Sequence, residues 1–397
     1  MVAPTATIPS VDVLHIAYGG LGGHAPVVNT LAKSLAYRQL RSGVIAYAEE
    51  AALAENAGAW ASIPLVHPIE MNGRIDLVAW KRVYQLVNSL RPRIVLCHNH
   101  KFALPVWAAG RASRRGRLHR VLVEHQAIDL RNLSDNVRSA LSLPLVDAAV
   151  FLSADYRNRY PFGRLPLRSI KNAAVIPNCV DTIEFSPPPD RGRRSRFSIG
   201  MASRLTPTKD LATVIRAVYE LHQSDLTSPV HLVVAGSGPC LAELRALVAS
   251  LRLDLNVTFL GHVESAELGD FYRSLDAYVH STSGETASTA ILQAMSTELA
   301  VVGSDVKGVN DLIQHDITGL LVAPKDPYAM ARAIRTLQGD DALRVRLGSA
   351  GRCAALTRCS VEAPTSAYLD LFARIDPSGP WFKAGPDEYH VGSIGHV

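Results

Sequence analysis

Three stretches of this chain carry residue types at spacings that suit chemistry on a small anionic ligand. The first is Ser203-Arg204-Leu205-Thr206-Pro207-Thr208-Lys209-Asp210, where two cations share one loop between an apolar run and a helix-like segment. With the N-terminus of that helix, Arg204 and Lys209 could converge on a diphosphate without a metal. Two ordinary surface cations, with Asp210 as a helix cap, would leave the same trace. The second stretch runs Ser281-Thr282-Ser283-Gly284-Glu285-Thr286-Ala287-Ser288 into Thr289-Ala290-Ile291-Leu292-Gln293. An apolar strand ends at His280, a small-residue loop carries Glu285, and a helix begins, so free N–H groups would form an anion site beside a carboxylate. Gln293 falls about two helical turns deeper. Glu285 could hold sugar hydroxyls and Gln293 a ribose; a glutamate that only offsets the helix dipole and a solvated glutamine are the plain alternative. The third is Gly19-Gly20-Leu21-Gly22-Gly23-His24, between a strand and a helix with Val27, Val28, Leu31 and Leu35 on one face. Such a turn lets backbone approach a ligand closely, although it departs from G-x-G-x-x-G and also reads as a simple tight turn.

Three histidines complete the inventory. His125 closes the run VLVEH, where it could orient a hydroxyl or stabilise developing positive charge through its carbonyl or ring; ending a strand is its bland role. In Cys97-His98-Asn99-His100 the alternate residues would face one side of an extended segment. That geometry suits a metal, but no third ligand is evident, so the pair is read as lining a loop or acceptor cleft and no metal is expected.

The elements that must position these residues alternate along the chain. Strand-like runs VDVLHIAY, RIVLCHNH, RVLVEH, DAAVFLS and AAVIPN occupy the first half; FSIGMASR, VHLVVAGSG, NVTFLGH, AYVHSTS and LAVVGSD occupy the second. Amphipathic segments separate them; Leu211, Val214, Ile215, Val218 and Leu221, for example, share one helical face. Alternation predicts α/β domains with parallel sheets covered on both faces and ligands at the carboxyl ends of the strands. A length of 397 residues suits two such domains. The boundaries are placed at 1–185, a Pro- and Arg-rich linker at 186–196, a second domain at 197–374, and an irregular Pro/Gly-rich tail at 375–397 that packs back on the first domain.

Composition excludes several other classes. With 48% hydrophobic and 19% charged residues the chain is neither disordered nor fibrous. No apolar run is long enough to span a membrane, and the first residues lack a signal-peptide pattern, so a cytoplasmic location is expected. The 5 cysteines are scattered without C-x-x-C spacing, which argues against a disulfide framework or a zinc site. A net charge of +5 fits anionic substrates or an anionic membrane surface. Arg111, Arg114, Arg115 and Arg117 form, with Arg120, the densest basic cluster, read first as a solvated surface face and, as the alternative, as a membrane or acceptor contact; no nucleic-acid motif accompanies them.

From Phe197 to about Leu337 the chain resembles the donor domain of the GT-B, family 4 retaining glycosyltransferases (glycosyl transferases group 1). The resemblance rests on an ordered set: SRLTPTKD, VVAGSGP, VTFLGHV, SGETASTAILQAM, VVGSDVKGVNDLI and DITGLLVAPKD. GGLGGH, VEH and VIPNCVDTIEF extend it more loosely over the first half, as the acceptor domain. It implies two Rossmann-like domains facing a cleft, joined by a linker about which they close.

Residue by residue, the resemblance implies that Arg204 and Lys209 hold a donor diphosphate, that Glu285 sits at the donor sugar, and that Thr286, Ala287 and Ser288 face sugar and phosphate. Gly22, Gly23, Gly236 and His262 are implied on the donor side, His125 near the reacting carbon, and Gly20, His24, His98 and His100 on the acceptor side. Gln293 stands where the family has a second glutamate on ribose; Thr-Ala-Ser replaces Gly-Phe-Gly after Glu285, and Asn178-Cys179 replaces Asn-Gly. The reaction implied is metal-independent transfer, with retention, from a UDP- or GDP-sugar to a saccharide or lipid-linked saccharide of a cell-surface polymer, with no bound cofactor. A nonhydrolysing sugar-nucleotide 2-epimerase and a non-catalytic sugar-nucleotide-binding partner are the rivals.

Overall fold

The computed structural model describes residues 11–20, 24–60, 63–73, 75–112, 117–126, 132–160, 172–190, 196–224 and 229–381. Two sheets organise them. The first contains β1 (Val13–Tyr18), β2 (Ser42–Ala48), β3 (Val66–Glu70), β4 (Ile94–Cys97), β5 (His119–Glu124), β6 (Ala148–Phe151) and β7 (Ala173–Val175), in the order β3-β2-β1-β4-β5-β6-β7. The second contains β8 (Phe197–Ala202), β9 (Val230–Ala235), β10 (Val257–Gly261), β11 (Ala277–His280), β12 (Ala300–Ser304) and β13 (Leu320–Val322), ordered β10-β9-β8-β11-β12-β13. All of these strand pairs are parallel. The protein is therefore built of two Rossmann-like α/β units, as the alternating pattern predicts.

Parallel sheets bury both faces, which explains why the central strands read as continuous apolar runs rather than alternating ones. In the second sheet one face packs on the helix Leu211–Ser224, whose predicted stripe Leu211, Val214, Ile215, Val218 and Leu221 is buried throughout. The other face receives the helices Ser265–Arg273, Thr289–Ser296 and Asp341–Cys359. In the first unit Val27, Val28, Leu31 and Leu35 of the helix His24–Tyr37 are likewise buried.

One assignment changes. The helix Glu362–Ile375, counted to the second domain on sequence, buries Tyr368, Leu369, Leu371 and Phe372 against Val13, Leu31, Leu96 and Val123 of the first. Its apolar stripe shows that a face is buried but not against which sheet. Arg93 on the first unit holds its far end by a two-pronged bond to Asp376, 2.9 and 3.2 Å, and donates to Ser378 at 2.9 Å. Trp381 is buried against Phe372 and donates its indole N–H to the Asp376 carbonyl at 2.9 Å. The start of the proposed tail is thus anchored, and 382–397 lie outside the described residues.

Truncating a wholly buried aromatic removes both transfer free energy and packing. Phe372→Ala is expected to destabilise the first unit by about 3–5 kcal/mol. Urea unfolding followed by domain-specific fluorescence should show that unit's transition moving while the second unit's stays in place.

Candidate active site

Each sheet reverses its strand order at one point, between β1 and β4 in the first and between β8 and β11 in the second. Beyond the carboxyl ends of those strands the helix N-termini diverge and leave a crevice. A cleft of about 580 Å³ occupies that position and is lined from both units. Arg204, Lys209, Gly236, His262, Glu285 and Thr286 line it from the second unit, with Ala287, Ser288 and Gln293; His98 and His125 line it from the first.

The second unit supplies the charged part. Lys209 sits in a short 3-10 turn after β8 and pairs through Nζ with the Glu285 carboxylate. The loop that carries Glu285 is stitched to the lysine's loop: Ser283 N–H and the Thr282 hydroxyl both donate to the Thr208 carbonyl, at 2.9 Å each. Glu285 Oε1 accepts from the Thr286 N–H at 3.1 Å, and Oε2 lies 3.3 Å from His280 Nε2. Burial alone would raise this carboxyl's pKa, but the His280 hydrogen bond and the Lys209 charge outweigh it and hold the group well below the ordinary carboxylate range. His280 is itself fully buried, and burial lowers its pKa, so it meets Glu285 as a neutral N–H donor. Behind it the Tyr278 hydroxyl lies 3.4 Å from His280 Nδ1 and also bonds both backbone groups of Ala202, at the exit of β8. Arg204 is exposed at the cleft and forms no ion pair among the described residues.

Backbone conformation brings these loops close. Gly236 has φ +141, and a Cβ there would stand 1.9 Å from the Ser203 carbonyl oxygen. Gly308 has φ +82, and its Cβ would meet the Glu285 carbonyl oxygen at 2.3 Å. Only glycine allows either approach. Ser288 caps the helix Thr289–Ser296 by accepting from the Ile291 N–H at 3.3 Å, aiming the helix start at the cleft. Gln293, far from solvated, is buried with Oε1 3.0 Å from the Tyr272 hydroxyl.

The first unit contributes His98, whose Nδ1 lies 2.8 Å from His125 Nε2. Two acceptor-side readings change. His100 does not line the cleft: the Asn99 side chain accepts from the Lys101 N–H and starts a 3-10 turn, so the segment is not extended and His98 and His100 part ways. Gly20 does not line it either, because the Asn56 carboxamide draws the Gly19 and Gly20 carbonyls aside, at 3.0 and 3.1 Å. Gly22, Gly23 and the His24 side chain lie outside the described residues, as do Arg114 and Arg115. Asn178 reaches across the cleft to donate to the Ala287 carbonyl at 3.0 Å. Sequence reasoning missed Tyr278, His280 and His15, whose signal was polar residues inside buried strands, and Tyr272, which lies on the helix Ser265–Arg273.

Two facing Rossmann-like units with a cleft between their strand ends define the GT-B class. Glycosyl transferases group 1 matches residues 189–353 and Glycosyltransferase Family 4 matches residues 21–184. The chain belongs to the family 4 glycosyltransferases of GT-B fold. Among curated relatives, lipopolysaccharide core biosynthesis glycosyltransferase LpsD of Rhizobium meliloti is 33% identical over 176 residues, 44% of this chain and 49% of LpsD. A GDP-mannose-dependent alpha-(1-6)-phosphatidylinositol monomannoside mannosyltransferase of Mycobacterium tuberculosis is 28% identical over 221 residues, 52% of this chain and 56% of the relative. The match thus spans about half the length of these relatives. The fold is also that of Anabaena Alr3699/HepE in complex with UDP and glucose, with a TM-score of 0.76 at 19% identity over 91% of this chain and 99% of that one. Sucrose-phosphate synthase from Thermosynechococcus elongatus gives 0.76 at 17% identity, over 93% and 100%.

Because the Glu285 pKa is lower folded than unfolded, its contribution to stability is complete above the ordinary carboxylate range and is lost as pH falls through and below it. Between neutral pH and pH 3, denaturant titrations should show Glu285→Gln with a shallower acid loss than the native chain, by up to about 1.4 kcal/mol per pH unit.

Proposed function

We propose that this protein transfers a sugar, with retention, from a nucleoside-diphosphate sugar to a saccharide or lipid-linked saccharide acceptor. The observation that carries the reading is the convergence of Lys209, exposed Arg204 and the start of the helix Thr289–Ser296 beside Glu285, facing His125 across one cleft. Cations and helix dipole stabilise a departing diphosphate, the role a divalent metal would otherwise fill, so no metal is required. When the donor's phosphates draw Lys209 away, His280 and the Thr286 N–H still hold Glu285, which then accepts hydrogen bonds from sugar hydroxyls. Glu285 positions the sugar and does not attack it. The acceptor enters on the side of the first unit, attacks from the face the diphosphate leaves, and passes its proton to the leaving phosphate. Closure of the two units excludes water, which would compete as acceptor.

UDP- or GDP-sugars are the proposed donors: the Anabaena neighbour was crystallised with UDP, and the mycobacterial relative is GDP-mannose-dependent. The named roles of LpsD and the mycobacterial enzyme support an acceptor of the lipopolysaccharide or glycolipid type. Contact with the cytoplasmic face of an anionic membrane through the Arg111–Arg117 region is part of the proposal. Arg111 already stacks over Trp107, 5.2 Å from the ring centroid, and Arg117 lies 3.8 Å from Asp147.

A panel of UDP-, GDP- and dTDP-sugars with isolated membrane glycolipids as acceptors tests the assignment. Arg204→Ala and Glu285→Ala should each lower kcat/KM by about 10²–10³, EDTA should leave turnover unchanged, and NMR of the product should show the donor's anomeric configuration. Near-normal activity in both variants sinks the site assignment. Donor consumption without acceptor favours an epimerase, and tight donor binding without turnover a non-catalytic partner.

A further inference from the structure

Three histidines form a chain from the core of the first sheet to the cleft. His15 lies in mid β1, fully buried, in register with Val44 of β2 on one side and Leu96 of β4 on the other. Its Nδ1 is 3.1 Å from His98 Nε2, and His98 Nδ1 is 2.8 Å from His125 Nε2. The rings lie edge to edge, with centroids 5.4 Å apart and nearly parallel for the first pair and 5.1 Å apart for the second. The His98 N–H donates to the Ile16 carbonyl at 3.0 Å, which fixes the middle ring's backbone to β1.

Each contact joins one Nδ1 to one Nε2. A neutral imidazole carries one N–H and one acceptor nitrogen, so the proton position on one ring dictates it on the next. The inner end decides the direction. His15 Nε2 is buried and has no partner among the described residues. Buried N–H groups without partners are rarer than under-satisfied acceptors, so the stranded atom is the lone pair and the His15 proton sits on Nδ1. Burial pushes the His15 pKa down to about 3, and no charged side chain contributes to that shift, so the inner ring stays neutral.

We propose that His15 and His98 are positioning residues that hold His125 in its Nδ1–H tautomer through a one-way chain of imidazole hydrogen bonds ending in the core. His15 donates to His98, and His98 donates to His125 Nε2. The chain conducts no proton outward, because it stops at a ring with no further partner. Its effect is to occupy Nε2 of His125, so that this nitrogen does not take the acceptor's proton and the leaving phosphate does. This functional consequence rests on the glycosyl-transfer reading; the tautomer assignment does not.

The test is a long-range ¹H–¹⁵N correlation spectrum of the full chain with ¹⁵N-labelled histidine at neutral pH, His125 being identified by the peaks lost in His125→Asn. All three rings should show the neutral Nδ1–H pattern. In His15→Phe the His125 signals should shift toward the Nε2–H pattern, and kcat should fall about tenfold with little change in donor KM. An Nε2–H pattern at His98 or His125 in the native chain overturns the proposal, as does a His125 tautomer unmoved in His15→Phe. Should that variant fail to fold, the native spectrum alone decides. The predicted tautomers in a protein that transfers no sugar would remove the proposed function and leave the chain of histidines standing.

Discussion

A buried carboxylate must be compensated, and the compensation of Glu285 organises the second half of the molecule. Its partners come from three places: Lys209 after β8, His280 at the end of β11, and the Thr286 N–H at the approach to the following helix. Leaving an ionised carboxyl uncompensated there would cost several kcal/mol. The two loops are therefore required to meet, and they meet at the strand-order reversal because β8 and β11 are neighbours there. The Tyr278 hydroxyl, bonded to both backbone groups of Ala202, extends the constraint to the root of the phosphate-side loop. The same arrangement that satisfies the free protein brings a cation and a helix start together at the cleft.

Among the described residues the two units are coupled by contacts of different kinds, including the packing of Val180 and Phe185 into the second unit's core. Asn178 donates across the cleft to the Ala287 carbonyl, and Lys307 lies 3.6 Å from Asp155. On the chain's return path, the Val180 N–H donates to the Cys359 carbonyl at 2.8 Å just before the helix Glu362–Ile375 crosses to the first sheet. The helix is committed by a large apolar face and by Arg93, whereas Asn178 and Lys307 each contribute a single polar contact. Packing of this helix outlasts the exchange of a few hydrogen bonds.

Much of this was legible in the amino-acid order, for physical reasons. Strands that run into loops at Ser203, Gly236 and Ser281 are apolar until the sheet ends and then turn small or polar, which marks both the strand and its functional end. Less was legible at the margins. β3, VHPIE, carries a proline and is only partly buried at the sheet edge, and β13 is three residues long. β2, SGVIAYA, is buried from Gly43 onward but ends in Ala-Tyr-Ala, which suits a helix equally. CHNH shows the limit of period-based reading: an Asn99 cap changes the backbone after His98, so alternate residues cease to share a face. The direction in which Glu362–Ile375 buries its stripe is a tertiary choice that no local pattern encodes.

Gln293 illustrates how one departure from a family pattern follows from its surroundings. Glu285 has a lysine, a histidine and a backbone N–H to balance it, whereas the side-chain hydrogen bond given to Gln293 is with the Tyr272 hydroxyl, itself fully buried. A carboxylate in that place would be buried beside the Tyr272 hydroxyl, and its desolvation would oppose ionisation. The carboxamide avoids that penalty, and with Oε1 turned to Tyr272 it presents N–H donors to whatever enters the cleft. The amide lowers the cost of the empty cleft, and it leaves the cleft's charge on Arg204, Lys209 and Glu285.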